Sequence, residues 1–144
     1  MFHRVKAVYA LPDNRLSVQF LEGVTKVYDV KPLFERIPAF CALRDRPQAF
    51  ADVHVDTGGY GVVWNDELDL SCDELWDTGV QVDTPFDGLM ALSDATVLWG
   101  LSESALRKAV SYGKLVSGVD VCKFGKQWVV SVEAMKREYG NGRT

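Results

Sequence analysis

Arg107 and Lys108 stand side by side in the segment Glu103-Ser104-Ala105-Leu106-Arg107-Lys108-Ala109-Val110-Ser111. Guanidinium and ammonium groups pair with phosphate or with the acceptor edge of guanine, which is the chemistry of recognising a polyanion rather than of making bonds. Helical spacing decides where they point. Ala105, Leu106, Ala109 and Val110 make one apolar stripe, and Glu103, Ser104, Arg107, Lys108 and Ser111 fall on the opposite face. One side packs; the other is free to read a groove. Downstream, Lys114 follows a glycine, and Lys123, Lys126 and Gln127 surround a Gly125-Lys126 pair between strand formers, where they would sit at or near a hairpin tip.

Catalysis and metal binding find little to work with. His54 and Asp56, two apart on an expected strand, point to one face, but the chain has only two histidines and a reaction needs a converging third group. Asp66, Glu67, Asp69, Asp73, Glu74 and Asp77 lack the spacing of a calcium loop, and Asp73 and Glu74 fit a helix start, where they complement the dipole. The three cysteines, Cys41, Cys72 and Cys122, show no C-x-x-C spacing and are expected to be buried thiols. No Gly-rich phosphate loop, G-x-S-x-G or H-E-x-x-H motif occurs. The expectation is therefore no catalytic residue, no metal, no cofactor and no enzyme.

The basic residues must be held by their elements. Ser93 is the expected cap of a helix over Asp94–Trp99, which Gly100 ends. Ser102 caps a second helix from Glu103 to about Tyr112, and Gly113 stops it. A hairpin within 119–131 and a third helix over Val132–Tyr139, capped by Ser131, complete the pattern, with Val132, Met135 and Tyr139 spaced to press on the first two helices. Trp99 and Trp128 fall at apolar periodic positions and are expected in the core. Helix, glycine turn and second helix is the helix-turn-helix order, whose second helix fits the major groove.

These landmarks, Leu92-Ser93-Asp94-Ala95, Leu98-Trp99-Gly100-Leu101-Ser102, Leu106-Arg107-Lys108-Ala109, Gly113-Lys114-Leu115 and Phe124-Gly125-Lys126-Gln127-Trp128-Val129-Val130-Ser131 with Ala134-Met135, resemble the excisionase-like branch of the MerR-type winged helix-turn-helix superfamily. The resemblance covers about residues 90–139 and implies groove reading by Ser102, Ser104, Arg107 and Lys108, with Lys114, Lys123 and Lys126 on phosphates. Thr96 stands where that family prefers Ala. Ser102 also has a plainer role as a cap contributing about 1 kcal/mol.

In the N-terminal half, Val5, Ala7, Tyr9 and Leu11 alternate with Arg4, Lys6 and Val8. After Pro12-Asp13-Asn14, Leu16, Val18 and Phe20 alternate in turn, and Thr25 to Val30 follows Glu22-Gly23. Period two predicts a three-stranded antiparallel meander. Pro32 fits the first turn of a short helix, and helical turns are expected around 40–43 and 47–50. His54 begins a strand that turns at Gly58-Gly59 and returns through Gly61 to Trp64, ending near 68–70. Ser71 with Glu74 is a capping box opening a last helix through Leu75 and Trp76. Tyr28-Asp29-Val30-Lys31-Pro32-Leu33, Phe40 with Leu43, Phe50 before Val53-His54-Val55-Asp56, Gly61-Val62-Val63-Trp64, Asp69-Leu70 and Asp73-Glu74-Leu75-Trp76 together resemble domain-of-unknown-function family 2442 over about residues 4–80. Members more often carry Trp-Pro-Asn-Gly where this chain has Trp64-Asn65-Asp66-Glu67, and Tyr in place of Trp76. The resemblance implies a small α+β domain, often beside DNA-binding domains or toxin-like neighbours, and names no reaction.

Charge divides the chain in the same place. Residues 1–82 hold 8 Lys/Arg against 13 Asp/Glu, whereas residues 91–144 hold 8 against 5, so the bulk value of −4 hides a basic C-terminal part. Gly79 to Gly88 breaks any period and is expected to carry the linker. The domains expected are an α+β unit over 1–82, a linker over 83–90, a mainly helical winged helix-turn-helix over 91–139 and a disordered tail over 140–144. With 47% hydrophobic residues, no long apolar run and a start that turns polar too soon for a signal peptide, the chain is expected to be soluble and cytoplasmic, with no membrane partner. The function expected is a bacterial DNA-binding transcriptional regulator of antitoxin type. Its partner would be double-stranded DNA, its state a homodimer, and its acidic half a surface for dimerisation or a protein partner. The competing expectation is an adaptor between proteins whose winged fold no longer binds DNA.

Overall fold

The computed structural model describes residues 2–142. The chain forms two compact units, one running to Pro85 and the other starting at Phe86.

In the first unit, β1 (Val5–Leu11), β2 (Arg15–Phe20) and β3 (Thr25–Asp29) make the expected antiparallel meander. Asp13 and Asn14 turn the first hairpin with φ of 66° and 54°, values that these two residue types tolerate better than most. Alternation holds on β2, where Leu16, Val18 and Phe20 are buried. It fails on β1. A bulge between Val5 and Ala7 shifts the register, so that Val8 lies opposite the buried Val18 and packs on the core, while Tyr9 is 55% exposed. An extra residue in one strand sends every later side chain to the other face.

The helix α1 (Lys31–Arg36) opens with Pro32 in its first turn, a 3₁₀ turn follows at Pro38–Ala42, and α2 (Pro47–Phe50) is a single turn. A second sheet contains β4 (His54–Val55), β5 (Gly61–Asn65) and β6 (Leu68–Ser71), in that order and antiparallel. After Trp64, the Asn65 side-chain oxygen accepts from the N–H groups of Glu67 (2.9 Å) and Leu68 (3.1 Å), so an Asx turn does the reversing. The helix α3 (Cys72–Thr78) is capped by Ser71 Oγ, which accepts from the Glu74 N–H at 3.1 Å. The Glu74 carboxylate accepts instead from the Tyr28 hydroxyl, 2.6 Å away, and burial, then this bond, holds the phenol protonated well above its ordinary range. Trp76 stacks on the His3 ring at 3.6 Å between centroids and carries the Lys26 ammonium over its face at 4.0 Å.

The stretch expected to open the linker is structured. β7 (Val80–Val82) pairs antiparallel with Thr25–Val27 as a fourth strand of the first sheet. Its three residues are too few for a periodic signal, and its hydrogen bonds come from a strand far back in the chain. On the far side, Leu89 and Met90 belong not to a linker but to β8 (Leu89–Ala91), so residues 83–88 alone separate the two units' strands.

In the second unit, α4 (Leu92–Trp99) begins earlier than expected. Ala91 is its cap position, and Ser93 lies within the first turn with its carbonyl accepting from Thr96 Oγ1. Gly100 ends α4 in the left-handed region at φ 64°, ψ 34°, and α5 (Glu103–Ser111) starts after Ser102. β9 (Val121–Phe124) and β10 (Gln127–Ser131) form the expected hairpin, but β8 adds a third strand on the other edge of β10. The last helix, α6 (Val132–Tyr139), is capped by Ser131 Oγ. Met90, Leu98, Leu106, Leu115, Val130 and Met135 are buried to 3% exposure or less in this unit. Of the tail, Gly140 is tied by its carbonyl to Trp99 Nε1 at 2.8 Å; residues 143 and 144 lie outside the described residues.

Candidate nucleic-acid interface

The site is built on α5. Ser102 Oγ accepts from the Ala105 N–H at 3.0 Å, which satisfies one of the orphan donors of the first turn and fixes where the helix starts. From that start the buried positions fall at Leu106 and Ala109, with Val110 half-buried. Ala105, expected in the apolar stripe, is exposed. The packed stripe is therefore narrower and the outward face wider than the pattern alone implies. Glu103, Ser104, Arg107, Lys108 and Ser111 all lie exposed.

Arg107 Nη2 stands 3.8 Å from Glu103 Oε2, one helical turn back, with the Arg side chain 61% exposed. Such a pair between solvated groups holds the guanidinium only weakly. Lys108 makes no hydrogen bond or ion pair among the described residues. Lys114 follows the left-handed Gly113 and rests its ammonium 4.3 Å above the Tyr139 ring, which joins the end of α5 to α6. Burial, and then the neighbouring Glu138, raise the Tyr139 phenol above its ordinary range.

The hairpin carries a second group of residues. Gly125 takes φ 62° at the first turn position, as expected, and Lys126 occupies the second, exposed. Lys123 pairs across the strands with Trp128 and holds its ammonium 5.4 Å from that ring. Trp128 and Trp99 are half-buried rather than core residues, the first serving as a platform for Lys123 and the second as a donor to the Gly140 carbonyl. Gln127 is exposed opposite Phe124. Thus Ser104, Arg107 and Lys108 share one helix face, Lys123, Lys126 and Gln127 share the hairpin end, and Lys114 stands after α5.

One cation is taken out of play. Arg137 on α6 donates to both carboxylate oxygens of Asp120, at 2.9 and 3.3 Å, and to Glu138 at 2.8 Å. Asp120 is nearly buried and its carboxylate also accepts from the Val116 N–H at 2.9 Å, which ties down the connection between α5 and β9. Arg137, and then the Val116 N–H, hold the Asp120 carboxyl below the usual carboxylate range. Sequence reasoning left out the exposed aromatic rings of this unit, Phe86 at 68%, Tyr112 at 82% and Phe124 at 61% exposure, and the exposed Lys136 of α6. An exposed aromatic in a strand or at a helix end carries the same period as a buried one, so only its unpartnered ring distinguishes it.

Elsewhere the chemistry-bearing residues stay apart. His54 Nδ1 lies 3.0 Å from the Asp52 carbonyl, and Asp56 Oδ1 accepts from the Thr57 N–H. Among the described residues no three His, Cys, Asp or Glu side chains converge as a metal set would. Of the cysteines only Cys72 is buried. Cys41 is half-buried with its thiol on the Phe34 carbonyl, and Cys122 is exposed, on the opposite face of the hairpin from the buried Val121 and Val130. Among the described residues no helix is long and apolar enough to cross a membrane.

Comparison with known proteins fits this division. The model of the family described as a protein of unknown function (DUF2442) matches residues 5–81, and that of a helix-turn-helix domain matches residues 82–144. No curated protein matches the chain. Among solved structures, a crystal structure of a "putative DNA binding protein" of Nitrosomonas europaea ATCC 19718 is similar at 20% identity, covering 78% of each chain with a TM-score of 0.47.

Proposed function

Since the chain belongs to the DUF2442 family and joins to that domain a helix-turn-helix domain, we propose that it is a DNA-binding transcriptional regulator of antitoxin type. The observation that carries the reading is the outward face of α5, where Arg107 and Lys108 stand exposed opposite the buried Leu106 and Ala109. In this reading α5 enters the major groove, Ser104 and Arg107 meet base edges, and Lys108 and Lys114 neutralise phosphates. Ser102 sets the helix start and can turn its hydroxyl to the backbone of the duplex. The hairpin acts as a wing, with Lys123, Lys126 and Gln127 on the neighbouring sugar-phosphate backbone. So few cations bind one half-site weakly at physiological salt, and a homodimer formed through the acidic N-terminal unit multiplies the affinity by holding two half-sites together.

Fluorescence anisotropy of full-length protein on mixed-sequence duplexes, from about 50 to 200 mM salt, tests this. Affinity is expected to fall steeply with salt, and the double variant Arg107→Ala, Lys108→Ala is expected to abolish binding. A salt-indifferent response, or a double variant that binds like the native chain, removes the reading. The adaptor reading has one observation of its own: Glu103 puts a negative charge in the first turn of α5, where it would meet a phosphate. Under that reading the duplexes stay unbound even at the low end of the salt range.

A further inference from the structure

The hairpin of the second unit ends in a ring that its fold does not use. Cross-strand partners share a face, and Val121 and Val130, paired and buried at 2% and 0%, mark the inner one. Lys123 and Trp128 continue that inner face, so Phe124 and Gln127, the last pair before the turn, lie on the outer one. There Phe124 is 61% exposed and makes no ring contact among the described residues. The tip itself is open: a Cβ added to Gly125 would meet nothing within 4 Å. Lys126 follows two residues on, exposed in the turn, while Lys123, one residue before the ring, lies on the inner face with its ammonium over Trp128.

A flat apolar ring without hydrogen-bonding groups, projected from a narrow two-strand tip next to the exposed turn residue Lys126, has a specific complement. It is a surface whose rim is anionic and whose interior offers flat apolar faces. Duplex DNA provides this at a partly unstacked base step, with phosphates on both sides of the minor groove. Phe86, Tyr112 and Val119 are more exposed than Phe124, but none of them stands on a regular hairpin end next to a lysine in the turn.

We propose that Phe124 is an apolar wedge that enters a base step from the minor groove and kinks the duplex, with Lys126 and Gln127 on the flanking backbone. This rests on the DNA-binding reading of α5 and adds to it a deformation. The wing then selects sequence through the ease of unstacking, favouring flexible pyrimidine–purine steps, and not through hydrogen bonds alone.

The experiment uses full-length protein and a mixed-sequence duplex of about 30 bp with a central TA step, labelled at both ends for energy transfer. Binding is followed by anisotropy and bending by transfer efficiency at saturation. The native protein is expected to raise transfer. Phe124→Ala is expected to weaken binding about tenfold and to leave transfer at the level of free DNA, and Phe124→Trp to restore both. Because the ring is solvent-exposed, the thermal midpoint is expected to be the same in all three proteins. If Phe124→Ala bends the duplex as the native chain does, or if the native chain binds without bending, the wedge is overturned while the reading of α5 stands. If the native chain leaves the duplex unbound at about 50 mM salt, both fall together.

Discussion

Asp120 is a side chain whose charge can be followed through pH. Its carboxyl is held below the ordinary carboxylate range by Arg137 and the Val116 N–H, so ionisation favours the folded state. A lowered folded-state value means that this contribution is complete above the unfolded value of about 3.9 and is lost as pH falls through the lower folded one. Asp120→Asn can still accept from Val116 but cannot pair with Arg137. Thermal midpoints of the second unit, measured from neutral pH into the acid range, are expected to be lower for the variant near neutrality and to converge with the native chain at the acid end. On α5 the two cations should behave differently. Lys108→Ala is expected to weaken DNA binding evenly across sequences and to lower the salt slope by about one. Arg107→Ala is expected to cost about 1–3 kcal/mol and to relax preference at one base position, as read by competition between duplexes. Arg107 and Lys108 were legible from the sequence because a helix's own period exposes them. The commitment of Arg137 to Asp120 was not, since 17 residues separate partners that only the packing of α6 beneath the connection brings together.

At the scale of elements, the helix starts at Ser71, Ser102 and Ser131 follow from residue type, since each hydroxyl serves an N–H three residues ahead. Ser93, the same residue type, caps nothing because β8 carries the chain in extended form up to Ala91 and α4 begins at once. Ser102→Ala is expected to cost about 1 kcal/mol, a drop of about 4–8 °C in the midpoint of this small unit, and Ser102→Asn to restore it. If Ser102→Asn recovers the midpoint but not the DNA affinity, the hydroxyl itself touches the duplex. Sheets were less legible than helices. The strands β7 and β8, three residues each, acquire their hydrogen bonds from β3 and β10, and the bulge in β1 reverses a face that strict alternation would assign. Short edge strands and bulges are defined by their neighbours and not by their own period.

For the molecule as a whole, each unit has its own buried set. Leu16, Phe20, Tyr28, Leu33 and Leu75 lie in one, and Met90, Leu106, Leu115 and Met135 in the other. Two cores of this kind are expected to melt in two steps by calorimetry, with conditions chosen to separate them. Limited proteolysis is expected to cut first within residues 83–88 and to spare residues 80–82, which the sheet protects. In the proposed reading the charge division has a consequence: a polyanion is attracted by the C-terminal part and repelled by the net of −5 over residues 1–82.

Residue order alone determined what depends on near neighbours: the helix starts at Ser71, Ser102 and Ser131, that Gly125 turns a hairpin, and that Arg107 and Lys108 face away from Leu106. These features close their hydrogen bonds or express their period within a few residues. Only the tertiary structure decided which edges the short strands β7 and β8 complete, which way Tyr9 and Val8 point, that Arg137 answers Asp120, and that Phe124 is left bare at a hairpin end. Each of those depends on a partner, or on the lack of one, far away in the chain, and distance in sequence carries no record of distance in space.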